Sequence, residues 1–154
     1  QHMKEPKQKL HYFDEQKKET IVPRVIEPTF GVERVFMAIL CEAYNDDKER
    51  GNIVLKIDKK LAPVKIAVFP LVNKLNDRAR EIYNSLKDCF PCFYDKSGSV
   101  GRRYARADEL GIPFCVTIDF EEDSCVTVRN RDTTEQERVK IEDLKNKLFE
   151  MING

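Results

Sequence analysis

Three arginines in one short stretch raise the question of chemistry. Residues 97–119 read SGSVGRRYARADELGIPFCVTID, and Arg102, Arg103 and Arg106 stand close together within them. A planar guanidinium fork pairs with two oxygens at once, which suits phosphate. Val100, Tyr104, Ala107 and Leu110 recur at helical spacing and predict one apolar stripe, with the three arginines on the remaining surface of the same helix. Ser99 is placed to cap the start of that helix, and Gly111 to stop it. Phe114 to Asp119 then reads as a buried strand. Two readings stand at this level: a phosphate grip beside a sheet, or a solvated basic helix face.

A second charged pair lies upstream. Residues 21–31 are extended and β-branched, with Pro23 and Pro28 forbidding helix. From Val32 the period changes, and Val32, Val35, Phe36, Ile39, Leu40 and Ala43 keep one helical stripe to about Tyr44. A strand feeding that helix through Gly31 puts Arg34 in the first turn. The helix dipole does not favour a cation there, which points to an anion approaching that end. Glu27 carries a charge into an otherwise apolar run, and a buried Glu27–Arg34 ion pair is the plain structural alternative.

Composition bounds the function. Lys plus Arg and Asp plus Glu are both 27 in 154 residues, so nucleic-acid contact must come from a local patch and not from bulk charge. No apolar run approaches the roughly 20 residues of a membrane helix, so a soluble protein is expected. Five cysteines (Cys41, Cys89, Cys92, Cys115 and Cys125) sit mostly inside apolar segments, which suits reduced, buried thiols and a cytoplasmic location. Cys89-Phe90-Pro91-Cys92 has CxxC spacing, but no second pair or nearby histidine completes a zinc site. His2 and His11 have no partners at ligand or triad spacing.

The elements that must position these residues follow from the pattern. Gln1-His2-Met3 reads as a cloning remnant. Residues 4–20 are charged around Leu10-His11-Tyr12-Phe13, an edge strand or a disordered leader. Residues 45–60 are polar and read as a linker, with a short strand at Ile53-Val54-Leu55, so the domain boundary is expected near residue 60. Beyond it come a strand at 64–69, a helix at about 73–88, a short strand at 92–94, the arginine helix and the 113–120 strand. A hairpin of 125–129 with 137–140 and a final helix from Ile141 complete the chain. This order predicts an α/β fold, a mixed sheet of about five strands with helices on both faces.

SGSVGRRYARADELGIPFCVTIDF, with LAPVKIAVFPL before it and TVRNRDTTEQERV after it, closely resembles the C-terminal anticodon-binding domain of eukaryotic and archaeal glycyl-tRNA synthetases. The resemblance covers essentially all of 61–153. IVPRVIEPTFGVERVFMAILCEAY (21–44) resembles the segment that precedes it in that class II family, including motif 3. The resemblance therefore implies a strand–helix remnant of the class II catalytic domain and linker over 4–60, and an anticodon-binding domain over 61–154. Motifs 1 and 2 are absent, which implies a piece of a longer enzyme that lacks aminoacylation and glycine-dependent pyrophosphate exchange on its own.

The resemblance also implies roles. Arg34 occupies the motif 3 arginine position, catalytic and ATP-binding. Glu27 matches the acid that receives the ammonium of glycine, and Thr29 a serine lining the same pocket. Thr29 keeps the hydroxyl but adds a methyl, and Glu33 stands where the family commonly has glycine. Arg102, Arg103 and Arg106 are candidates for tRNA phosphate, and Asp119, Arg129 and Arg131 for base edges, since RNA loops are read by splayed bases. Tyr104 reads as core, and an Asp119–Arg129 salt bridge is the structural alternative for that pair. The implied partners are tRNA-Gly, glycine and ATP as substrate, with Mg2+ implied by the family and no ligands for it in this chain. The parent enzyme is expected to be a homodimer, with neither a membrane nor DNA among its partners. Two other classes compete: a non-catalytic RNA-binding module with this fold, and an interaction domain whose arginines form internal salt bridges.

Overall fold

Alternation along one apolar strand explains how the sheet acquires two covered faces. In a strand successive side chains point to opposite sides. Ile66 and Val68 enter one core with Val116, Val126 and Leu148, while Ala67 and Phe69 enter another with Ala107, Ile112 and Cys115. A strand buried on both faces in this way is a near-continuous hydrophobic run, and Ile66–Pro70 (β5) is buried throughout.

The computed structural model describes residues 11–120 and 124–154. They divide into two units between Val32 and Glu33. In the first, β1 (Tyr12–Asp14) pairs antiparallel with β2 (Glu19–Ile21). An extended, exposed stretch follows over 22–31. The expected remnant at residues 1–3 and the start of the charged leader, 4–10, lie outside the described residues.

The second unit opens within α1 (Val32–Ala43), followed by β3 (Tyr44–Asp47) and β4 (Asn52–Leu55), which form an antiparallel hairpin. The polar composition of 45–60 reads as a linker, but the chain folds there. Asp47 accepts from the Gly51 amide at 2.9 Å through its carbonyl and from the Arg50 amide at 3.1 Å through its carboxylate, closing the turn. Ala43, Ile57 and Ala62 form a small core of their own with Leu40 and Leu55. The rest of the α1 stripe stays open, with Val32, Val35 and Phe36 all exposed.

The main sheet has the order β6-β5-β7-β8-β9, with β6 at Cys92–Tyr94, β7 at Phe114–Ile118, β8 at Cys125–Asn130 and β9 at Gln136–Lys140. β5 pairs parallel with both β6 and β7, and β7-β8-β9 continue antiparallel. The α/β mixed sheet of five strands expected from the pattern is the one observed. α2 (Asn76–Lys87), entered through a 3₁₀ turn at Asn73–Leu75, covers one face together with α4 (Leu144–Asn153), burying Ala79, Ile82, Leu86, Leu144, Leu148 and Ile152. α3 (Val100–Glu109) covers the other through Ala107 and Tyr104.

β5 lies between β6 and β7; α2 links β5 to β6 over one face, and α3 links β6 to β7 over the other. The carboxyl ends of such strands form a crevice at the point where the order reverses, the usual ligand position of open α/β sheets. Among the described residues, no helix is long and apolar enough to cross a membrane.

Candidate nucleic-acid interface

The arginine helix begins and ends as its sequence dictates. Ser99 accepts the Arg102 amide on its hydroxyl at 3.4 Å, satisfying one of the open donors of the first turn. At the other end Gly111 takes φ +73°, and the Ile112 amide returns to the Ala107 carbonyl at 2.9 Å. A Cβ on Gly111 would also stand 3.1 Å from the Leu55 carbonyl, so glycine serves both the turn and the approach of β4.

The three arginines, however, do not share a surface. Arg103 is 4% exposed. It donates to the Pro70 carbonyl and, at 2.7 Å, to that of Gly98, tying the end of β5 to the loop before α3. Its Nε is buried with no hydrogen-bond partner among the described residues. Leu110, expected on the buried stripe, is exposed instead, and the buried face of α3 carries Arg103, Ala107 and Asp108. Polar side chains take the core-facing positions because carbonyls and a cation wait for them there, which helical periodicity does not register.

Arg106 is half-exposed and committed to Asp95 through Nε at 2.9 Å and through Nη2, which also reaches the Ser97 carbonyl at 2.6 Å. Burial works to raise the Asp95 pKa, but the Ser97 amide and the Arg106 guanidinium outweigh it and hold the carboxyl below its usual value of 3.8. A depressed carboxylate contributes stability above its unfolded pKa and loses it as pH falls through the folded one. Asp95→Asn should therefore narrow the stability gap between pH 7 and pH 3, read by urea melts at both pH values. An unchanged gap would show that the clamp contributes nothing. Of the three, Arg102 alone is exposed with no hydrogen-bond or ion-pair partner for its guanidinium among the described residues.

Arg129 and Arg131 are buried as well. Arg129 is 7% exposed and grips both Asp108 oxygens, at 2.9 and 3.1 Å, with its guanidinium 4.8 Å over the Tyr104 ring. Burial acts to lower the Arg129 pKa, and Asp108 more than offsets it, so the guanidinium is held above its ordinary value. Arg131 is 2% exposed and donates at 2.8 Å to the carbonyls of Gly111 and Ile57, while Asp132 takes its other edge. Asp119 accepts from Arg138 and from the Thr127 hydroxyl at 3.1 Å, so the carboxylates paired with these two strands are Asp108 with Arg129 and Asp119 with Arg138.

What the fold does bring together is a cleft of about 460 Å³ at the carboxyl ends of β5 and β7. Leu71, Val100 and Tyr104 give it an apolar side. Thr117, Asp119 and Arg138 give it polar edges. Thr117, Thr127 and Arg138 are register partners across β7, β8 and β9, so they stand in one row. The Tyr104 hydroxyl meets that of Thr117 at 2.6 Å, and burial pushes the phenol pKa above its ordinary value. Sequence reasoning passed over Thr117, Thr127 and Arg138. A signal was present: Thr117 and Asp119 alternate on one face of an otherwise apolar strand.

Comparison with known proteins decides the family. The model for the anticodon binding domain matches residues 65–151. The chain belongs to the anticodon-binding domain family. The glycine–tRNA ligase of Malacoplasma penetrans is 51% identical over 148 residues, 93% of this chain and 32% of that protein. That of Caldanaerobacter subterraneus subsp. tengcongensis is 47% identical over 156 residues, 99% and 34% respectively. The chain thus spans about a third of the curated relatives it matches. Among solved structures, the RNA-binding domain of threonyl-tRNA synthetase from Cryptosporidium parvum superposes with a TM-score of 0.58 at 25% identity, over 62% of this chain and 25% of that one. Histidyl-tRNA synthetase from Nostoc gives 0.56 at 20% identity, over 59% and 23%, a likeness of fold.

Glu27 and Thr29 are exposed in the extended stretch of the first unit, and Arg34 is exposed in the first turn of α1. Among the cysteines, Cys41 and Cys89 are exposed, against the burial expected of them. Burial pushes the Cys115 thiol up to about 12, and burial with the neighbouring Cys89 pushes Cys92 up to about 11.

Proposed function

We propose that this chain is the C-terminal part of a glycine–tRNA ligase and that its cleft receives a splayed anticodon base of tRNA-Gly. The cleft itself carries the reading: an aromatic and aliphatic side opposite a row of hydroxyl, carboxylate and guanidinium groups at the switch point of the sheet. A flat base needs one surface to pack on and another to hydrogen-bond its edge. Asp119 and Arg138 offer an acceptor and a donor for that edge. Arg102, on the first turn of the helix whose Val100 lines the cleft, serves the phosphate backbone, with Arg106 beside it as a half-exposed second. Arg103, Arg129 and Arg131 hold the framework.

In the parent enzyme, Arg34 neutralises charge on ATP as the carboxylate of glycine attacks the α-phosphate and pyrophosphate leaves. Glu27 receives the glycine ammonium, and Thr29 lines its pocket. The parent works as a cytoplasmic homodimer. Among the described residues no group of three or more His, Cys, Asp and Glu is placed to hold a metal ion.

The test is binding of the chain to tRNA-Gly and to a tRNA with an altered anticodon, each at two salt concentrations. Tighter binding to tRNA-Gly is expected. Arg102→Ala should weaken both complexes alike and lower the salt slope by about one, as the loss of one phosphate contact does. Equal affinity for the two tRNAs would sink base reading, and an unchanged slope would remove Arg102 from the backbone contact.

A further inference from the structure

Arg50 and Asp108 do not line the cleft, yet a continuous set of contacts runs from them to its wall. Arg50 sits in the β3–β4 turn, with Nε 3.2 Å from an Asp47 oxygen. Its Nη1 donates to the Arg131 carbonyl at 2.7 Å and stands 3.6 Å from Asp108 Oδ2. Its Nη2 donates to the Asp132 carbonyl at 3.0 Å. Asp108 in turn holds Arg129 in both forks, Arg129 lies over the Tyr104 ring, and the Tyr104 hydroxyl engages Thr117 in the cleft. Phe69 meets that ring in an edge-to-face arrangement, with centroids 5.7 Å apart.

We propose that Arg50, Asp108 and Arg129 are positioning residues for base discrimination, acting through Tyr104, and that the β3–β4 hairpin is thereby part of the RNA-reading apparatus. The proposal rests on the anticodon reading of the cleft. Its physical basis is that a tyrosine ring has two torsions to fix. Here a cation over one face, an edge-to-face contact with Phe69 and a hydroxyl partner at the tip fix both. Arg50 also holds the two carbonyls that begin the turn from β8 into β9, and that turn leads to Gln136, Glu137 and Arg138 on the opposite wall. One side chain from the hairpin therefore bears on both sides of the cleft. Buried, fully partnered networks of this kind restrict the geometry of the groups they hold.

A purely structural role would change stability and leave discrimination alone, so discrimination is the readout. Arg50→Ala and Tyr104→Phe are titrated with tRNA-Gly and with the anticodon-altered tRNA at one salt concentration. Near-UV circular dichroism at the same temperature shows that each variant is folded. The expected result is a fall of about threefold or more in the ratio of the two affinities for each variant. The salt slope should be unchanged, and the double variant should be no worse than the more affected single one. Where Arg50→Ala does not fold, Arg50→Lys gives the same readout, because it keeps a charge near Asp108 without the fork that spans two carbonyls. A wild-type ratio in the folded variants, or an equal loss against both tRNAs, overturns the proposal while the anticodon reading stands. A wild-type chain that does not distinguish the two tRNAs brings down both.

Discussion

Asp108→Ala should cost about 3–5 kcal/mol of folding stability, the usual penalty for removing one partner of a buried ion pair. Asp108 is 1% exposed, and its carboxylate is the ionic partner of the Arg129 guanidinium. Removing it strands a cation between α3 and β8, over the Tyr104 ring. Equilibrium urea unfolding measures the loss. Replacing both members with apolar residues, as in the Asp108→Leu/Arg129→Met double variant, should recover a large part of it, because the main penalty is the orphaned charge and not the missing pair. A loss below about 1 kcal/mol for the single variant, the range of a surface pair, would mean that water reaches Arg129.

The second large effect concerns recognition. Asp119→Asn should lower affinity for tRNA-Gly by about tenfold, or about 1.4 kcal/mol, and leave the altered-anticodon tRNA nearly unaffected. Asparagine keeps the shape and one carbonyl acceptor, but it loses the negative charge that strengthens a hydrogen bond from a base amine or from Arg138. Filter binding or fluorescence titration at fixed salt reads the difference. Equal weakening against both tRNAs would show that Asp119 supports the wall by holding Arg138 and Thr127 and does not meet a base. That result would redirect the edge contact to Arg138.

The arginines illustrate where reading by type alone stops. The six candidates for tRNA contact in the sequence, five arginines and Asp119, stand out by charge, and charge does not reveal whether a partner is already in place. Arg103, Arg129 and Arg131 each reach carbonyls or carboxylates distant in sequence, among them Pro70, Asp108 and Ile57. Only the packing of α3, β8 and the 44–60 segment against one another brings those groups within reach. The hairpin at 44–55 was legible only in part. Its second strand is expected from Ile53-Val54-Leu55, but its first, Tyr44–Asp47, is polar, and its turn is anchored by a few specific bonds such as those of Arg50.

Much was nonetheless legible. The apolar run at 64–69, the period of the 73–88 helix, the Ser99 and Gly111 boundaries and the 125–140 hairpin are local signals, set by side-chain alternation, helix capping and turn chemistry. They were sufficient to predict the five-stranded mixed sheet. The cleft depended on more than local pattern. Leu71, Tyr104, Thr117 and Arg138 come from four separate elements and meet only because the chain order reverses beside β5 and the strand register aligns Thr117, Thr127 and Arg138. Sequence alone determined the elements and the family likeness, since both are written in short-range pattern. Tertiary structure decided which charges face outward, because that depends on partners supplied from across the fold.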